Sequence, residues 1–98
     1  MAVRITCIKK DGGDLYDPHE GIIDFGWINE QTRATGQSTL IQMMVFLENQ
    51  NGRAYVKDSF GKITHVGIVK TNRRTKYLRT YSDGKWTDSL LSLPECVG

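Results

Sequence analysis

The densest set of reactive side chains in the 98-residue sequence is basic: Lys70, Arg73, Arg74, Lys76 and Arg79, with Tyr77 and Tyr81 interleaved. Cationic side chains neutralise phosphates and phenol rings stack on unpaired bases. Residues 70–79 are therefore a candidate nucleic-acid surface, with Arg73 and Arg74 at a hairpin tip. The same charges also serve solubility, and lysines on edge strands oppose sheet-to-sheet aggregation. A second set is Cys7, His19 and Cys96, the soft metal ligands apart from His65. Brought together from distant loops, with Asp17 or Glu20 as a fourth ligand, they would suit zinc. The paired spacing of structural zinc sites is absent, however, and free cysteines are common as plain core residues. A Cys96–His19 nucleophile–base pair would need hydrogen-bond reach and a third orienting group, and Cys96 sits near the end of the sequence, a poor place to hold a nucleophile. Asp11, Asp14, Asp17 and Glu20 surround His19 but lack the alternate-position oxygens and central glycine of a calcium loop. They read as a solvated loop. No phosphate-cradling glycine loop, Gly-x-Ser-x-Gly or His-Glu-x-x-His occurs.

Composition narrows the classes. Ninety-eight residues make one domain, 1–98, with a single hydrophobic core. A charged fraction of 24% and a hydrophobic fraction of 39% fit a soluble globular chain, and a net charge of +2 is too small to imply nucleic acid by itself. No apolar run approaches the roughly 20 residues of a membrane span. The opening Met1-Ala2-Val3-Arg4-Ile5-Thr6-Cys7 is too alternating for a signal peptide, so two free thiols in a reducing cytosol are expected.

The element that must organise the chain is a helix over 38–52. Ser38 or Thr39 can cap its start, and Gly52 can take the left-handed position past its end. Leu40, Met43, Met44 and Leu47 share one face, Ile41 and Val45 widen it, and Phe46 falls away from the stripe. Around it, Val3, Ile5 and Cys7 alternate as a strand, and 22–28 reads as a second strand carrying Trp27. Residues 29–37 read as a loop. After the helix, short β-prone runs separated by turns, including Asp83-Gly84, predict an antiparallel meander. One of its faces, with Val66 and Ile68, lies under the helix; Tyr77, Arg79 and Tyr81 share the other. Leu90, Leu91 and Leu93 fold back onto the core. The apolar surface is more than one small sheet covers, which makes Trp27, Phe46 and Trp86 candidate partner-binding residues.

The chain resembles a family of small bacterial and phage-associated proteins, domain-of-unknown-function family 3892. The matching residues are Ile5-Thr6-Cys7, Gly26-Trp27 with Asn29, Ala54-Tyr55-Val56, Lys76-Tyr77-Leu78-Arg79-Thr80, Asp83-Gly84, and the run from Asp88 to Cys96, whose Leu-Pro-Glu-Cys ending is the most specific piece. Family members often carry Asn at the position of Ser89. The resemblance implies a bacterial or mobile-element origin and a compact single domain, and brings no activity, substrate or catalytic residue.

The expected fold is α+β: an antiparallel sheet of about five strands, ordered β-β-α-β-β-β, with one helix packed on one face. A small barrel-like sheet with one helix is the alternative. The expected function is a non-enzymatic cytosolic binding module acting through a protein partner or self-association, without cofactor or membrane. Nucleic-acid binding through residues 70–79 is the alternative, and a metal-dependent or thiol enzyme comes third.

Overall fold

The computed structural model describes residues 2–10, 21–71 and 76–96. His19, the carboxylates around it, Arg73 and Arg74 lie outside the described residues. The elements are β1 (Ala2–Lys10), β2 (Ile22–Ile28), β3 (Thr35–Thr39), α1 (Leu40–Asn49), β4 (Arg53–Lys57), β5 (Ile63–Lys70), β6 (Lys76–Ser82) and β7 (Lys85–Thr87). The strands form one sheet in the order β3-β2-β1-β4-β5-β6-β7, so β4 is central, with β1 beside it, and β3 and β7 are the edges.

The fold is α+β, but two expectations fail. The sheet has seven strands rather than five, and it is mixed: β1 and β4 run parallel, Val3 opposite Ala54. The cause is the helix. It receives the chain from β3 at one edge and returns it as β4 beside β1, a crossover that parallel neighbours require. The unforeseen strand is β3, whose sequence Thr-Gly-Gln-Ser-Thr carries no hydrophobic alternation. Its ladder to β2, Asp24 opposite Thr39 through Ile28 opposite Thr35, makes it a strand.

Thr39 caps α1, and a capping box closes its first turn: the Gln42 amide donates to Thr39 Oγ1 (3.2 Å) and the Thr39 amide to Gln42 Oε1 (2.8 Å). At the other end Asn51, not Gly52, takes the left-handed backbone, with φ of 53°. Gly52 is needed for room. A Cβ there would lie 2.3 Å from the Phe46 ring, while its amide donates to the Phe46 carbonyl at 2.9 Å. Phe46 thus packs on the core alongside Leu40, Met44 and Leu47, and Met43 is fully buried. Ile41 and Val45, expected to widen the buried stripe, face outward instead.

Cross-strand partners share a face. Val3, Ile5, Ile8, Phe25, Ala54, Val56, Val66 and Leu78 line the helix side of the sheet and are buried. They are joined by Leu90 from the segment after β7, as the apolar run Leu90, Leu91, Leu93 implied. Thr80, also buried, is satisfied by the Thr87 carbonyl (3.0 Å) and hydroxyl (2.6 Å). Along β1 the alternation does not hold to the end. Ile5 faces Trp27 and Cys7 faces Gly26, so Thr6 is an extra residue, a bulge that resets the register. Ile8 therefore enters the core where simple alternation would have put Cys7.

Cys7, turned outward, is bonded to Cys96, with Cα atoms 4.9 Å apart, and no described cysteine is free. The expectation of two free thiols is overturned. The bridge lies against Gly26, where a Cβ would come 2.2 Å from Cys7 Sγ and 3.2 Å from Cys96 Sγ. Beside it the Ile8 amide donates to the Pro94 carbonyl (3.0 Å) and the Cys96 amide to the Ile8 carbonyl (2.9 Å). Residues 94–96 thus extend the parallel neighbourhood of β1 beyond β4.

Candidate functional site

Apolar side chains reach solvent at the helix, beside a concave surface. Ile41 is 69% and Val45 40% exposed. They flank a groove of about 380 Å³, lined also by Val3, Trp27, Met43 and Phe46, with Ser38, Gln42 and Gln50 as its polar members. Its walls come from three strands and one helix face. Trp27 is held by two contacts: Nε1 donates to Ser38 Oγ at 3.0 Å, and its ring lies where a Gly36 Cβ would sit, 2.5 Å from Cζ2. The indole is thus oriented before any partner arrives. Trp27 and Phe46, singled out from the sequence for partner binding, meet at this groove.

Trp86, the third such residue, lies on the opposite face. There the register aligns Arg4, Tyr55, His65, Tyr81 and Trp86 across five strands. Tyr81 and Trp86, 46% and 42% exposed, meet edge to face with centroids 5.2 Å apart. The basic segment divides between the faces. Lys70 and Lys76 oppose one another on the helix side. Lys76 pairs there with Glu48 at 3.5 Å. Arg79 sits on the other side, with Nε on the Thr87 carbonyl (3.0 Å) and Nη2 on Asp88 Oδ1 (2.7 Å). Tyr77, expected to stack on bases, is only 6% exposed. Its described cations, Lys70, Lys76 and Arg79, are close in sequence but divided in space, because strand neighbours point to opposite faces.

Of the metal and nucleophile candidates, Cys7 and Cys96 do meet, but as a disulfide. A bridged sulfur is neither a thiolate ligand nor a nucleophile. Among the described residues no group of three His, Cys, Asp or Glu side chains is placed to hold a metal ion.

One polar cluster was not foreseen. Asn29 Oδ1 accepts from the Gln31 (3.0 Å) and Thr32 (3.2 Å) amides, and Arg33 takes a left-handed backbone. The resulting turn presents Glu30 to β1 and β4. Its carboxylate accepts from the Tyr55 hydroxyl and lies 3.9 Å from Arg4 Nη1 and 3.7 Å from Lys57 Nζ. The Tyr55 hydroxyl is the main cause holding Glu30 below the ordinary 4.5, against some burial and with help from Lys57 and Arg4. The same bond, with burial, raises Tyr55 above 10.0. With its folded pKa lowered, Glu30 contributes stability that is fully present above about pH 4.5 and is lost as pH falls through the folded value. Tyr55→Phe is expected to move the Glu30 midpoint up toward the ordinary value in an NMR titration. An unmoved midpoint would show that the hydroxyl is not the cause.

A mixed seven-stranded sheet carrying one crossover helix, with an apolar groove between them, defines an α+β domain. The family model for a protein of unknown function, DUF3892, matches residues 4–94, and the chain belongs to that family. No curated protein and no solved structure matches the chain. No helix among the described residues is long and apolar enough to cross a membrane.

Proposed function

We propose that the protein is a non-enzymatic binding module that takes an apolar segment of a protein partner, or of a second copy of itself, into the groove beside α1. Support comes from Ile41 and Val45, which leave apolar surface in water directly beside a concave wall of Trp27, Phe46 and Val3. Exposed apolar patches next to a preformed aromatic pocket are the usual form of an interaction hot spot. A cytoplasmic setting is proposed with it. Nucleic acid on the open sheet face draws support from the exposed Tyr81–Trp86 pair, but less from charge, because Lys76 and Arg79 are engaged by Glu48 and Asp88.

The test uses Ile41→Glu/Val45→Glu, both at exposed positions, so thermal stability is expected to stay within a few degrees of wild type. Sedimentation equilibrium of the purified protein, and capture from host lysate, are compared for the two forms. A self-associated or co-purified species present with wild type is expected to fall at least tenfold with the variant. Equal recovery would remove the groove as the contact surface.

A further inference from the structure

We propose that the Cys7–Cys96 bridge is a redox latch: when a dithiol reduces it, residues 94–96 leave the side of β1 while the core stays folded. The geometry divides the segment after β7 into two parts held by different forces. Residues 88–93 satisfy their own backbone, with Leu91, Ser92 and Leu93 amides donating to the Asp88, Ser89 and Leu90 carbonyls (3.0, 3.3 and 3.3 Å). They are anchored by Leu90, which is fully buried, and by Leu91 and Leu93 packed on the core. Residues 94–96 have no such anchor. Pro94 and Glu95 are exposed and Cys96 is half-buried. Apart from the bridge, their hold on β1 is the pair of backbone hydrogen bonds to Ile8. Two such bonds do not offset the ordering of three largely exposed residues, so the covalent link decides whether this part stays docked.

Cys7 and Cys96 are both half-buried residues outside the buried core cluster. A thiolate of the dithiol attacks one sulfur, breaking the Cys7–Cys96 bond and forming a mixed disulfide. Its second thiolate displaces that sulfur. Two electrons pass from the dithiol, which ends as a disulfide, and Cys7 and Cys96 each take up a proton. Release frees the amide and carbonyl of Ile8, a stretch of β1 edge that β4, paired only from Ala2 to Arg4, does not cover. In a cytosol such bridges are usually transient and redox-sensing, which is the role the latch would have in the cytoplasmic setting proposed above. The latch does not depend on the groove.

Amide hydrogen exchange tests it on the full chain, oxidised and after treatment with dithiothreitol, with Cys7→Ser/Cys96→Ser as a permanently open form. Reduction is expected to bring the Cys96 and Ile8 amides to the exchange rate of an unstructured chain, while the Leu93 amide and the β4–β6 ladder keep the protection that the reduced fold's remaining stability gives. The double variant should match the reduced protein. Protection at Ile8 and Cys96 that stays equal to that of the β4–β6 ladder after reduction would make the bridge a mere staple. Loss of protection throughout would make it a condition of folding, and a bridge that resists the dithiol would be no switch; each result overturns the proposal.

Discussion

Replacing both Cys7 and Cys96 with serine is expected to lower the free energy of unfolding by about 4.5 kcal/mol, following the chain-entropy account of cross-links. The two cysteines are 89 residues apart, so the bridge closes nearly the whole described chain into one loop. It removes from the unfolded ensemble the many conformations in which those residues are far apart. A domain of this size has roughly 5 to 15 kcal/mol in total, so the loss is a large share of it. The corresponding drop in melting temperature is about 20 °C or more. Thermal melts of the oxidised wild type and the double-serine variant measure this directly. A difference of only a few degrees would mean that the unfolded chain is already constrained, or that the bridge strains the folded one.

Leu90→Ala is expected to cost about 2 to 5 kcal/mol, the range for removing a buried leucine side chain that leaves a cavity. Leu90 is 0% exposed and belongs to the same cluster as Ile5, Phe25 and Met43, although it comes from a segment with no helix or strand of its own. Its burial makes residues 88–93 part of the core and not a loose appendage. Denaturant unfolding with the disulfide intact separates this effect from that of the bridge. A cost under about 1 kcal/mol would show that the site collapses or refills on truncation, and that the segment rests on the core without completing it.

The features legible in the sequence are the ones set by neighbours along the chain. Thr39 caps the helix because its hydroxyl reaches an amide three residues on. Asp83 and Gly84 turn the last hairpin because both adopt positive φ, 54° and 80°. Val66, Leu78 and Thr80 face one way and Arg79 and Tyr81 the other because side chains alternate on a strand. The groove residues Trp27 and Phe46 were also visible, as large apolar side chains in excess of what a small sheet needs. Glu30 was not: nothing in its neighbourhood announces Tyr55, 25 residues away.

What only the tertiary structure decided depends on pairings between distant segments. Strand β3 has no strand-like pattern and exists because β2 offers it a ladder. The parallel placement of β4 follows from the path of the helix across the sheet, which no local signal encodes. The bulge at Thr6 turns Cys7 out of the core. A tail that packs Leu90 inside brings Cys96 beside it, and Gly26 leaves the space that the two sulfurs fill. Spacing in sequence said only that two cysteines were present; their bond is a property of the register. Local chemistry thus set the elements, and the burial of one shared apolar face set which of them meet.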